Sequence, residues 1–205
     1  MSGSRISEGR KKIPAETSYR EWRNGVDKTA PPRQNGLAAG KINVAMTTGS
    51  PPKLIERIEF KPAEIEKTLE RYEAQIVTSP VEHAIIITRS GEVYHMNGDV
   101  HGIPLNYFEQ MRRELEGAHV THNHPPGAKE NDHTFSDDDF DNFIYFKMAR
   151  LHGIEEKFLY ELNRNALDNE LVGRDWGALA ESDDYHYAIM LKALIEGLGY
   201  WRRGR

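Results

Sequence analysis

Cysteine is absent from the 205 residues. Its absence excludes disulfides, iron–sulfur clusters, thiolate zinc sites and a cysteine nucleophile, so any metal must be held by histidine, carboxylate or water. A disulfide-stapled secreted domain is excluded with it. No uninterrupted apolar run is long enough to span a bilayer, and the N-terminus has no apolar signal-peptide core. These features predict a soluble cytoplasmic protein with no membrane partner. Net positive charge is lacking too: the formal charge is -5 and the mean hydropathy -0.69, which argues against general affinity for nucleic acid. The length suits one ordinary domain with extensions.

Apolar residues are scarce before Leu54. Residues 1–53 are rich in Gly, Ser, Thr, Pro, Lys and Arg, and are punctuated by Pro31-Pro32, Gly36, Gly40, Gly49 and Pro51-Pro52. With little apolar surface to offset ordering entropy, this segment reads as a disordered or partner-dependent arm. Tyr19, Trp22 and Val26 give it one short helical face suited to docking. The arm is basic while the remainder is acidic, so only the arm suits nucleic acid.

From Leu54 the patterning changes. Ile65, Leu69, Tyr72 and Ile76 recur at helical spacing behind Pro62, which suits a first turn. His83–Thr88 is a short β-branched run, Arg89–Glu92 a turn and Val93–Met96 a second run, together a β-hairpin that Asn97-Gly98 ends. Leu105, Phe108, Met111 and Leu115 share a helical face that Gly117 stops. His119–His122 reads as a strand, Ser136 starts a helix bearing Phe140, Phe143, Ile144 and Met148, and Phe158–Leu162 reads as another strand. A last amphipathic helix is expected over 182–198, followed by the tail YWRRGR. The chain thus divides into the arm 1–53, a domain 54–170 and a C-terminal helical extension 171–205. The predicted fold is α/β (α+β), a mixed sheet flanked by helices.

Chemistry concentrates in HVTHNHPPGAKENDHTFSDDDF, residues 119–140. Residues two apart on a strand project to one side, so His122 and His124 can present both imidazoles to one point. A catalytic zinc takes three protein ligands and keeps one position open. Pro125-Pro126-Gly127 turns the chain after the second histidine, and Asp139, three residues after Ser136, shares its helical face. Asp139 would complete a His2Asp set. The same residues also spell a helix start, with Ser136 as N-cap and Asp139 closing a capping box. The two readings are compatible, since a capped helix can still donate a ligand. His119 and His133 read as core or loop histidines, and Asp132, Asp137 and Asp138 as solvated.

His122-Asn123-His124-Pro125-Pro126-Gly127 followed by Ser136-x-x-Asp139 resembles the signature of the JAMM/MPN+ metallopeptidases. The wording is most similar to the RadC-like branch and to HNHP-type domains found with phage head-morphogenesis proteins, over roughly residues 75–165. That resemblance implies JAMM/cytidine-deaminase-like layering, one Zn2+ held by His122, His124 and Asp139, Ser136 stabilising an oxyanion, and an upstream glutamate as general base. Glu82 matches that glutamate's position; Glu92, Glu114 and Glu116 are the other candidates. The implied activity is hydrolysis of a peptide or isopeptide bond in a protein or peptide substrate, with phage head or other assembly proteins as partners and a host-cytoplasmic or virion-associated location. The chain departs from the family in a longer stretch between His124 and Asp139, the excess falling in Gly127–His133. Loop insertion of this kind is thermodynamically cheap, but it leaves Asp137 and Asp138 as rival third ligands. A catalytically inert JAMM-like assembly module is the alternative. A metal-dependent HNH nuclease fits less well, because its residues spread over a ββα unit and the core here is acidic.

Overall fold

The computed structural model describes residues 49–126, 134–164 and 185–205. The expectations for the arm up to residue 48, for Gly127–His133 with its polar loop, and for the boundary near residue 170 lie outside these residues.

Seven strands form one mixed sheet: β1 (Ser50–Arg57), β2 (His83–Ile87), β3 (Glu92–Asn97), β4 (His119–Asn123), β5 (Arg150–Ile154), β6 (Phe158–Asn163) and β7 (Gly199–Gly204). Their order is β1-β3-β2-β4-β5-β6-β7, and every neighbouring pair is antiparallel except β4 and β5. Five helices accompany them among the described residues: α1 (Pro62–Ile76), α2 (Leu105–Gln110), α3 (Arg112–Leu115), α4 (Asp137–Tyr145) and α5 (Tyr185–Ile195). The fold is therefore α+β. A parallel pair needs a crossover, and α4 lies in the one joining β4 to β5.

Helices cover both faces of the sheet, which is why β2 is buried along its whole length. Ile85 and Ile87 on one side pack with the α1 stripe of Ile65, Leu69, Tyr72 and Ile76. Ala84 and Ile86 on the other side join Met96, Val120, Phe140, Phe143 and Ile189. The hairpin turns on Gly91, whose φ of +78° suits glycine and whose missing Cβ would sit 2.1 Å from the Ile58 carbonyl oxygen.

Four elements differ from the sequence reading. Residues 50–53, placed in the arm, begin the edge strand β1. The single helix expected over 105–115 breaks at Met111, which leaves helical geometry at φ -103°, ψ 14°. The tail residues Gly199–Gly204 pair with β6 as the seventh strand, so the C-terminal segment completes the sheet after a helix. Strand β5 was not expected at all. Its inner face carries Arg150 and His152, polar residues that read poorly as a strand core. His152 is buried between Glu73 of α1 and Glu161 of β6, at 2.7 Å from each, and Arg150 binds Glu66 of α1 through both terminal nitrogens at 2.5 and 2.8 Å. Burial disfavours the charged imidazole, but Glu161 and Glu73 outweigh it and raise its pKa. Among the described residues, no helix is long and apolar enough to cross a membrane.

Candidate metal centre

The parallel strands β4 and β5 end side by side, and there the chain places His122 and His124. His122 is the penultimate residue of β4, on the side-chain face of Ala84 and Val120, and His124 follows where its N–H donates to the Ile154 carbonyl at 3.0 Å. The two-residue period holds across this junction: the Nε2 atoms of His122 and His124 stand 3.0 Å apart. Asp139 reaches them from the first turn of α4. Its Oδ1 is 3.3 Å from His122 Nε2 and its Oδ2 is 3.7 Å from His124 Nε2.

These separations can be set against a metal. Three donors on a tetrahedron with zinc–ligand bonds of ~2.0–2.1 Å lie about 3.3 Å apart. The two Nε2 atoms stand 3.0 Å apart and Asp139 Oδ1 lies 3.3 Å from that of His122, close to this value, and one ligand atom from each of the three residues lies within 4.8 Å of the others, so the residues present fit the ion. The trio can hold a metal ion, and no other trio of His, Asp and Glu does so among the described residues.

Electrostatics give the same picture. Burial opposes a charge on His124, yet the neighbouring Asp139 and Glu155 carboxylates push its pKa up to about 10. Burial likewise opposes the Asp139 carboxylate, but His122 and His124 outweigh it and hold its pKa well below the usual range. A divalent cation binding here would have to displace the proton that His124 holds.

Ser136 divides the oxygens of Asp139 between two duties. It is the N-cap of α4: its hydroxyl accepts from Asp139 N at 3.1 Å, while its N–H and hydroxyl donate to Asp139 Oδ2 at 2.9 and 2.7 Å. Oδ1 is thereby left to His122. The capping arrangement thus leaves one carboxylate oxygen facing the histidines. The Ser136 hydroxyl can donate to a substrate oxygen only by releasing Asp139. Of the rival ligands, Asp137 pairs with Lys192, and Asp138 stays outside the trio.

Glu82 shares a cavity of about 400 Å³ with His122, Ser136 and Asp139. Glu92 is engaged at the hairpin with Arg57 and Ser90, and with Glu114 and Glu116 it lines a different cleft. Only Glu82 of the four is at the site. Although the residue as a whole is half-buried, burial of its carboxyl pushes the pKa up to about 7, with the charges of Asp139 and Asp99 adding to the effect and the two histidines opposing it. Its backbone is fixed on both sides: Asn123 accepts from His83 N–H at 2.8 Å and donates to the Val81 carbonyl at 3.1 Å. The residue between the two histidines thus clamps the segment that carries Glu82.

Apolar wall comes from Ile103, Phe108, Val120, Met148 and Leu151, His101 adds a polar ring, and Asp138, Asp141 and Asn142 of α4 stand along one side. Sequence reasoning did not single out Tyr160 or Glu155, which contact His124 from β6 and the end of β5. In the sequence, Tyr160 is only one more aromatic in a strand. His119 is a half-buried histidine against Phe60 at the start of β4, with its pKa lowered to about 4, chiefly by burial of the ring.

No known protein family, curated protein or solved structure matches the chain.

Proposed function

We propose that the chain is a zinc-dependent hydrolase with JAMM-like layering, which cleaves a peptide or isopeptide bond. The observation that carries this reading is the convergence of His122, His124 and Asp139 at metal-ligand spacing on the wall of the cavity that holds Glu82. When bound there, zinc supplies a Lewis acid that brings a water's pKa toward neutrality and polarises a substrate carbonyl. Glu82 takes a proton from the attacking water and delivers it to the leaving amine, for which a carboxyl poised near neutrality is suited. Ser136 first holds Asp139, and its hydroxyl is the side-chain donor available to an oxyanion if that bond switches. Asn123 keeps Glu82 in register with the ligands.

The likeness of HNHPPG to phage-associated domains makes a phage head or other assembly protein the proposed partner, in host cytoplasm or virion. One observation favours an inert assembly module instead: the Ser136 hydroxyl is committed to Asp139. Such a module would bind zinc without turnover.

The test is cleavage of a diverse peptide mixture by the zinc-loaded full chain, read by mass spectrometry. Cleavage is expected, lost with a zinc chelator and restored by zinc; no cleavage under any of these conditions favours the inert module. Cut sites should also be biased. No lysine or arginine is among the described cavity-lining residues, whereas Asp138 and Asp141 are. Peptides with a basic residue beside the cut are expected to be preferred over acidic ones by about tenfold, since two exposed charge pairs contribute up to ~1 kcal/mol each. Asp138→Lys combined with Asp141→Lys should reverse the order, and an unchanged order contradicts this role for the acidic side of the cavity.

A further inference from the structure

We propose that Tyr160, tethered by Glu155, is a positioning residue that fixes the ring and tautomer of His124 for metal binding. The inference rests on the metal site proposed above and concerns what stands behind it. The Tyr160 hydroxyl lies 2.7 Å from His124 Nδ1 and 2.7 Å from Glu155 Oε1. Direct contact between His124 Nδ1 and Glu155 is 3.5 Å, too long for a good hydrogen bond, so the phenol oxygen is the link.

Proton counting sets the direction. The phenol donates its single proton to Glu155 Oε1. The phenol oxygen then accepts from His124, which places that ring's proton on Nδ1. In the neutral ring that a metal ligand must be, Nε2, the nitrogen facing His122 and Asp139, then carries the lone pair. Groups behind a metal-bound histidine commonly set its tautomer and basicity in this way.

The fold is shaped to admit this ring. Tyr160 is fully buried on β6 opposite Gly153 of β5. A Cβ at Gly153 would lie 2.0 Å from Tyr160 Cε2 and 3.0 Å from the ring of Phe135. Phe135 packs edge-on against Tyr160, with centroids 4.9 Å apart at 87°. Glycine opposite and an aromatic edge beside it hold the hydroxyl in place. Tyr160→Phe therefore removes the oxygen while keeping the packing.

The experiment compares zinc affinity, by competition with a chromophoric chelator, and the visible spectrum of the cobalt-substituted full chain, for wild type, Tyr160→Phe and Glu155→Gln. Tyr160→Phe is expected to retain a folded chain and one metal site but to bind zinc about 10–100-fold more weakly, with an altered cobalt spectrum. Glu155→Gln keeps a carbonyl acceptor for the phenol and should lose less. Affinity and spectrum unchanged in Tyr160→Phe overturn the positioning role while leaving the metal site standing. Wild type that binds neither zinc nor cobalt overturns the metal site itself, and the relay with it.

Discussion

Glu82→Gln is expected to keep zinc and lose turnover, with kcat/KM falling by about a hundred- to ten-thousand-fold, the usual worth of a positioned general base. Glutamine retains the shape of the side chain, and the local backbone is held independently, by Glu82 N–H to the Asp99 carbonyl at 2.9 Å and by the Asn123 clamp. Thermal stability and metal content should therefore stay at wild-type levels. The rate profile gives a second readout. A carboxyl raised to about 7 is ionised above that pH and protonated below it, so activity should fall as the pH drops. A bound cation stabilises the carboxylate and moves that acid limb lower still. The limb should vanish in Glu82→Gln. A variant that turns over at the wild-type rate removes Glu82 from the chemistry and reopens the search for a base.

Asn123→Ala carries the second large effect, and it acts on stability and catalysis together. Asn123 is fully buried, and its amide satisfies the His83 N–H and the Val81 carbonyl. Alanine leaves both backbone groups without that partner, at about 1–3 kcal/mol each, for an expected loss of about 2–6 kcal/mol in denaturant unfolding. The Glu82 segment loses its tie to the strand bearing both histidines, so activity should fall further than zinc affinity. Asn123→Asp keeps the acceptor for His83 but sets a carboxylate against the Val81 carbonyl, and it should not rescue. A loss below about 0.5 kcal/mol, the scale of an ordinary surface substitution, contradicts the clamp.

Local patterning carried α1, the β2–β3 hairpin, β4 and the capped start of α4, because each announces itself within a few residues. Ile65, Leu69, Tyr72 and Ile76 are the buried stripe of α1 that their spacing predicts. Ser136 and Asp139 form the capping box that their separation predicts. The strands that escaped notice are those whose sequence contradicts their place. β5 holds Arg150 and His152, tolerated because Glu66, Glu73 and Glu161 arrive from α1 and β6. β7 is a charged edge strand and β1 carries two prolines directly after its first residue, an arrangement suited to a sheet's margin.

The site divides along the same line. The pairing of His122 with His124 follows from strand periodicity, and Asp139 from the helix start. Which glutamate joins them could not follow, because Glu82 meets the trio through β2 lying beside β4. Tyr160 is 36 residues from His124 and arrives through strand order alone.

The central claim is that His122, His124 and Asp139 hold one zinc. Its most direct test is elemental analysis of the purified full chain after zinc loading and dialysis, beside His122→Ala combined with His124→Ala. One equivalent of zinc in wild type, absent from the double variant, is the predicted result. No zinc in wild type, or equal zinc in both, would contradict the account and leave a capped helix beside two hydrogen-bonded histidines.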